Sequence, residues 1–499
     1  MFSKSLTIIF QKIYFLFERR YVTILKIAQI GNCMINKKIA FMVAGLTSGS
    51  GKTTVTQGLL ALLTNQGYSV QSFKLGPDYI DSGHHAMLTG RPCINLDKFL
   101  LTPKGLENSS TLILKEHFYS YSEDCDTMVI EAVGGIYDDW YHDGNNPAQI
   151  AIDLDLEVIL VADGFSYCQT LGIMLNSVIN HNKDLKVSSV ILNRISSKEH
   201  YERILETISP EYKHMFIGFL ELDKHLFIPE RHLGLATANE SDNILSRKSK
   251  LIEIFSKFNT KYFTQKNIII NSLPKSYVMS TRGKRFRIAI AYDKAFSFYY
   301  AYNLQLLEAL GAELVHFSPL KDNVLPKNIS GMYIGGGFPE IHAKTLAKNK
   351  KLLEEIKIKA ELNLPIYAEC GGLIYLGKST TQYISNKIYD MVGIFDIETN
   401  FKGEFVLSYF YGYLLNNCLI GQKGEIIKGH LFHRTNILEK NQIQKSSKIY
   451  SLSNSMVLEE GFTYKNVYAS YAHIHFAGCQ NVAFNFMKKV KGYKIRKKF

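Results

Sequence analysis

The sequence predicts an α/β protein of two domains, and three observations predict it. The chain has 499 residues, beyond the size at which a single hydrophobic core stops growing. Short continuous apolar runs alternate with helix-length segments, which is the pattern of parallel strands covered by helices on both faces. The alternation is interrupted once, between about residues 236 and 283, where it weakens into Lys, Ser, Asn and Thr and ends in STRGKR. An interdomain linker is expected there, dividing a first domain at 37–235 from a second at 284–485, with a basic tail at 486–499.

The first 36 residues are apolar but carry Lys4, Lys12, Arg19, Arg20 and Lys26, so no uncharged run approaches the ~18 residues of a membrane span. They are expected to be a targeting or interfacial extension, or to precede a true start at Met34. From Lys38 a strand, IAFMVAG, runs into a Gly/Ser/Thr loop. A helix follows, with Val55, Leu59, Leu62 and Leu63 at helical spacing, and ends at Gly67. Buried strands are expected at 128–133, 157–162, 189–193 and 215–220, and in the second domain at 287–292, 313–317, 332–337, 365–370 and about 467–476.

A composition 46% hydrophobic and 21% charged is that of an ordinary globular protein. The formal charge of +13 admits nucleic acid, a membrane surface or acidic small molecules as partners. The Lys and Arg residues are scattered, so charge does not choose among them. Seven cysteines, widely spaced and without a CxxC pair, argue against a disulfide framework or a Cys-rich metal site and for a reducing cytoplasm.

The segment GLTSGSGKTT lies between a strand and a helix, where backbone N–H groups and the helix N-terminus favour phosphate oxygens. Gly45, Ser48, Gly49, Gly51, Lys52, Thr53 and Thr54 are therefore candidate ATP-binding residues, with Lys52 reaching the β/γ-phosphates and Thr53 supplying a hydroxyl to Mg²⁺. Five residues separate Gly45 from Gly51, one more than the strict motif. That longer spacing resembles dethiobiotin synthetase and its relatives, which activate a carboxyl group with ATP. Partition-type ATPases carry a second lysine early in this loop, where this chain has Thr47. Among carboxylates, Glu131 and Asp163 end apolar strands and are the candidate metal ligands, and Asp78 lies in KLGPDYID after another strand.

In PIYAECGGLIYLG a strand runs into Cys370, two glycines and a helix, the turn that exposes a nucleophile. A base is needed, and SYAHIH offers His473 and His475. The run GGGFPE supplies Gly336 and Gly337, which with Gly371 form a candidate oxyanion hole. A second pair, His430 and His433, has no acidic neighbour in sequence and is expected to be structural or to face substrate.

Over about residues 38–480 the combined order resembles the cobyrinic acid a,c-diamide synthase family, through AGLTSGSGKTTV, FKLGPDYID, TGRPCINLD, PERHLGL, GGGFPE, YAECGGLIYL, GHLFH and ASYAHIHF. The resemblance implies a dethiobiotin-synthetase-like phosphate-loop domain joined to a class I glutamine amidotransferase domain. It implies that Cys370, raised in reactivity by His473, hydrolyses glutamine, and that ammonia passes internally to the ATP site. There the c and then the a acetate of a corrin become amides through phosphorylated carboxylates. By the same resemblance Asn193 and Arg194 lie near the adenine, and Lys74, Asp78, Tyr79, Glu230, Arg231 and His232 contact corrin or phosphate.

The partners so implied are glutamine, ATP with Mg²⁺ and a polycarboxylate corrin. No bound organic cofactor, nucleic acid or integral membrane association is expected, and a homodimer is the expected assembly. Hydrogenobyrinic acid and Ni-sirohydrochlorin are alternative rings, and a phosphate-loop switch on nucleic acid or membrane is the alternative class. The chain departs from the pattern at Ala132 and Asp139, and at His475, where full-triad glutaminases have an acid two residues after the histidine.

Overall fold

The computed structural model describes residues 35–139, 144–223, 244–258, 267–271, 285–383, 385–401, 405–439, 444–453 and 456–493. Glu230, Arg231 and His232 lie outside the described residues, as do 1–34.

The first unit is built on seven parallel strands, β1 Ile35–Gly45, β2 Val70–Leu75, β3 Ile94–Leu96, β4 Thr127–Glu131, β5 Glu157–Asp163, β6 Lys186–Ile195 and β7 Phe216–Glu221, ordered β3-β2-β4-β1-β5-β6-β7. Side chains on a strand alternate between faces. Ala40, Met42 and Ala44 of β1 accordingly pack with Met128, Ile130, Val158 and Leu160 on one face. Ile39, Phe41 and Val43 pack with Val129, Ile159 and Val161 on the other. Burial on both faces is why these strands read as continuous apolar runs. Because β4 and β5 flank β1, their carboxyl ends open on one edge of the sheet, where open α/β sheets bind ligands.

The segment expected as a linker is partly domain structure. Helix Ile244–Phe255 places Leu251 and Phe255 in the core beside Val55 and Leu59. A Cβ on Gly58 would lie 2.0 Å from the Phe255 ring. Strand β8, Asn267–Asn271, pairs antiparallel with residues 35–39 of β1. Leu251 and Phe255 dock the helix with Ile252 and Ile254 packed beside them, while Arg247, Lys248, Ser249 and Lys250 run together before them, which is why the periodicity read as weak.

The second unit contains β9 Phe286–Ala291, β10 Ala312–Phe317, β11 Gly331–Ile334, β12 Ile366–Glu369, β13 Ser379–Thr381, β14 Ile388–Asp390, β15 Ile397–Asn400, β16 Val406–Leu414, β17 Ile426–His433, β18 Asn436–Glu439, β19 Lys445–Ser451, β20 Val457–Tyr464 and β21 Val467–Ser470. Its large sheet runs β10-β9-β11-β12-β21-β20-β19-β16-β17. The half from β10 to β21 is parallel and the rest antiparallel. A smaller sheet is ordered β14-β13-β15-β18. Helix Gln480–Gly492 buries Phe486, Met487 and Val490, so the stretch expected as a basic tail begins inside the domain.

The units meet through an aromatic cluster of Tyr79, Ile80, Phe99 and Leu100 with Phe298, Tyr300, Phe338 and Tyr409. Around it Tyr121 Oη donates to Gln305 Oε1 at 2.6 Å, Tyr409 donates to Asp97, and Lys428 donates to the Phe99 carbonyl.

Candidate functional site

Two clusters of polar side chains face this junction from opposite sides. The first grows from the loop after β1. Gly49 and Gly51 take φ of 74° and 94°, a region costly for residues with a Cβ. At Gly51 a Cβ would also sit 2.0 Å from Asn193 Nδ2. Asn193, at the end of β6, donates that amide to the Ser50 carbonyl at 3.0 Å and so props the loop. Ser48 is exposed at the loop's tip, and Thr54 is half-buried in the first turn of helix Lys52–Asn65. Lys52 donates to the carbonyls of Gly134 at 2.7 Å and Thr47 at 3.4 Å. Burial, with the Lys74 ammonium adding to it, lowers its pKa to about 8.

Behind the loop, Thr53 Oγ1 donates to Glu131 Oε1 at 2.7 Å and lies 3.3 Å from Asp81 Oδ2. Lys74 Nζ bridges the same two carboxylates, 2.8 Å from Asp81 and 2.7 Å from Glu131, with Asp78 Oδ2 at 3.9 Å. His85 Nε2 lies 2.7 Å from Glu131 Oε2. Burial pushes Glu131 up, but Lys74 and His85 outweigh it and hold the carboxyl well below the usual range. Asp78 Oδ1 accepts from the N–H groups of Ile80 and Asp81 at 2.8 and 3.0 Å, capping the helix Ile80–Thr89. That cap aims Asp81 and His85, one turn apart, at Glu131.

Asp81 and His85 were missed by the sequence reading, although their spacing of four after PDYID was a readable signal. Asp163, expected beside Glu131 as a metal ligand, has other partners here. Its carboxylate is taken up by the Arg194 guanidinium and by the Phe165 N–H at 3.0 Å, so its charge is already matched. Arg194, at φ 56°, stands over the Phe165 ring, 5.3 Å from its centroid.

The second cluster surrounds Cys370, which follows β12 at φ 48°, ψ −105°. Such a conformation costs a residue with a Cβ about 1–3 kcal/mol and persists only where surrounding structure enforces it. Here the Cys370 N–H donates to Ser470 O at 2.7 Å, and its thiol faces the Phe432 carbonyl at 3.6 Å. Burial, then the nearby Glu340, pushes the thiol up.

His473, fully buried, exchanges backbone hydrogen bonds with His430 at 2.9 and 3.0 Å, and their rings stack at 4.8 Å. Gly429 allows this approach, since a Cβ there would lie 2.0 Å from the His473 carbonyl. Burial lowers the His473 pKa to about 3, leaving a neutral imidazole. A Cβ on Gly336 would meet His473 Cε1 at 2.5 Å and Cys370 Cβ at 3.4 Å, so Cys370 and His473 face each other across this glycine.

The expected oxyanion hole is corrected at Gly336. Its N–H is spent on the Phe298 carbonyl at 3.2 Å through an isolated bridge. The backbones of Gly337 and of Gly371, the residue after Cys370, lie against each other, with a Gly371 Cβ position 3.0 Å from Gly337 N.

His475 does not support His473. Its Nδ1 accepts from Ala477 N at 3.2 Å, and its ring packs on Tyr300 and Tyr302 at 4.5 and 5.4 Å. His433 stacks on Tyr471 at 4.0 Å. Among the described residues no group of three or more His, Cys, Asp or Glu is placed to hold a metal ion. No helix there is long and apolar enough to cross a membrane.

Tyr79 joins the clusters. It follows Asp78 and precedes the helix carrying Asp81, yet its ring stacks on Phe298 at 5.2 Å and lies 5.2 Å from the His473 ring. Lys74, Asp78 and Tyr79 thus form one chain of contacts from the phosphate loop to the histidine.

Comparison with known proteins finds the same pairing of domains. Residues 41–235 match the CobQ/CobB/MinD/ParA nucleotide binding domain, and residues 287–480 match the CobB/CobQ-like glutamine amidotransferase domain. The cobyrinate a,c-diamide synthase of Caldanaerobacter subterraneus subsp. tengcongensis is 37% identical over 443 residues, covering 87% of this chain and 94% of that protein. Those of Limosilactobacillus reuteri and Listeria innocua serovar 6a are 34% and 36% identical, each over 87% of this chain and over 95% and 96% of their own length. A likeness at this level running through both domains places the chain in the cobyrinate a,c-diamide synthase family.

Proposed function

We propose that the chain amidates the a and c acetate carboxylates of cobyrinate, drawing nitrogen from glutamine and energy from ATP. The observation that carries this reading is the run Lys74–Asp81, which puts the phosphate-loop cluster and the Cys370–His473 pair on one buried junction.

In the glutaminase half, the Cys370 thiol gives its proton to neutral His473 and the sulfur adds to the glutamine carboxamide carbon. The oxyanion that forms is met by the N–H groups of Gly337 and Gly371. The tetrahedral adduct collapses as His473 returns the proton to the leaving nitrogen, ammonia departs, and water hydrolyses the thioester to glutamate.

In the synthetase half, a corrin carboxylate cannot expel oxide. It takes the γ-phosphoryl group of ATP, and ammonia then displaces inorganic phosphate from the acyl phosphate, leaving the amide. Lys52 offsets charge on the phosphates. Thr53 Oγ1, Asp81 and Glu131 form an all-oxygen donor set in which Asp81 Oδ1 lacks a hydrogen bond and Glu131 Oε2 faces His85 Nε2 at 2.7 Å. Such a set fits Mg²⁺, which binds few protein oxygens and supplies charge neutralisation at the phosphates.

The test is to supply purified protein with ATP, Mg²⁺, glutamine and, in turn, cobyrinate, hydrogenobyrinate and Ni-sirohydrochlorin. Mass spectrometry is expected to show two amidations of cobyrinate with matching glutamate release. Amidation confined to another ring would reassign the substrate, and ATP-dependent binding to nucleic acid or vesicles without glutamate release would reject the synthetase.

A further inference from the structure

The acid that usually steadies the histidine of a glutaminase is absent from its usual place, which here is His475. The carboxylate that does reach His473 comes from the residue just before the nucleophile. Glu369 Oε2 lies 3.9 Å from His473 Nδ1, an ion-pair distance, with both side chains buried.

The rest of the carboxyl group is fixed. Oε1 accepts from Tyr367 Oη at 2.6 Å and from the Ile474 N–H at 3.1 Å, and Oε2 accepts from Tyr333 Oη at 2.9 Å. The Ile474 contact ties the carboxylate to the residue after His473, so the acid and the histidine backbone move as a unit. Both ring nitrogens of His473 are buried and without a hydrogen bond in the protein. Nδ1 faces Glu369, leaving Nε2 for the thiol.

The other titratable groups facing this pair are His430, stacked on His473, Tyr79, 5.2 Å from it, and His433, whose charged form would oppose a proton on His473, with Tyr299 and Tyr300 near Glu369 and Glu340 near the Cys370 thiol. Of the carboxylates, Glu369 is the one that reaches His473 Nδ1.

We propose that Glu369 is the positioning residue of the glutaminase site, holding His473 through Nδ1 and offsetting the charge the imidazole gains when it takes the Cys370 proton. This rests on the assignment of Cys370 and His473 as nucleophile and base. In the step concerned the S–H bond breaks, an N–H bond forms at Nε2, and the imidazolium so formed draws closer to the carboxylate. Burial raises the Glu369 pKa to about 7, with the two tyrosines and the Ile474 amide pulling it back. An adjacent imidazolium is what completes its ionisation.

The experiment is Glu369→Gln in the full chain, a change that keeps the size of the side chain and removes the charge. Glutaminase kcat is expected to fall about 10- to 100-fold with KM for glutamine little changed. Alkylation of Cys370 by iodoacetamide is expected to slow at pH 7, its pH midpoint rising by about one unit. Amidation supported by ammonium salts should remain at the wild-type rate, which also reports that the chain is folded.

Wild-type glutaminase activity, or lowered activity with an unchanged alkylation profile, overturns the proposal and leaves Cys370 and His473 in place. Wild-type glutaminase activity in Cys370→Ala would instead remove the assignment beneath it. Should Glu369→Gln lose ammonia-supported amidation as well, Tyr333→Phe, which frees one anchor of Oε2, carries the test. A loss of about threefold or more in glutaminase alone supports the proposal, and no change overturns it.

Discussion

At Gly336 a hydrogen in place of a methyl group decides whether Cys370 and His473, the proposed nucleophile and base, can meet. A methyl there would fall 2.5 Å from His473 Cε1, closer than any tolerated contact, and the ring sits in a fully buried site with nowhere to retreat. Gly336→Ala is therefore expected to lower glutaminase activity about 100-fold or more while sparing ammonia-supported amidation. Steady-state assays with each nitrogen source check it.

Lys74 is the corresponding residue of the other cluster. It is the buried cation between Asp81 and Glu131, and removing one partner of a buried ion pair costs about 3–5 kcal/mol. Lys74→Met should lose amidation and melt at lower temperature, and Mg²⁺ should raise its Tm more than that of the wild type, since a cation then relieves the two carboxylates. Thermal unfolding with and without Mg²⁺ reads this directly.

Residues such as Lys52, Thr53, Glu131 and Cys370 were legible in the sequence because each ends or follows an apolar strand in a recognisable run. Glu369 was not, because its role comes from a contact 105 residues away along the chain, with Ile474.

Among the elements, the parallel strands β1, β4, β5, β9, β11 and β12 were legible for a physical reason: buried on both faces, they carry continuous apolar runs, with their polar residues mainly near the ends. The antiparallel strands β16, β19 and β20 have one wetter face, and their alternation is broken by polar residues that are nonetheless buried, such as Ser408, Ser446 and Glu460. The mixed character of the second sheet was therefore hidden.

Helix Ile244–Phe255 was hidden differently, its apolar residues 251–255 following the polar run Ser246–Lys250. Phe255 fills the space that Gly58 leaves open, and truncating a buried Phe costs about 3–5 kcal/mol. Phe255→Ala is expected to destabilise the first domain by about that amount, and denaturant unfolding followed by a probe in that domain checks it. The 236–283 segment would behave as a plain linker only if this substitution left stability unchanged.

For the whole molecule, the decisive feature is that the two clusters share one buried, aromatic junction. Phe99 from the first domain packs on Tyr409 and Tyr411 of the second at 5.0 and 4.8 Å, while the Lys428 ammonium caps its carbonyl. Opening this contact should let ammonia escape before it reaches the acyl phosphate. Phe99→Ala is expected to raise the ratio of glutamate released to amide formed several-fold over the wild type, measured by quantifying both products in one reaction. An unchanged ratio would mean that the ammonia does not depend on this junction.

The central claim is that nitrogen enters at Cys370 and leaves as an amide at the phosphate-loop site. The most direct measurement supplies Cys370→Ala and wild-type protein with ATP, Mg²⁺, cobyrinate and either amide-¹⁵N glutamine or ammonium chloride, and follows product mass. The predicted result is two ¹⁵N amides from the wild type with glutamine, none from Cys370→Ala with glutamine, and diamide from both proteins with ammonium. Labelled amide from Cys370→Ala, or no amide from the wild type with either nitrogen source, would contradict it.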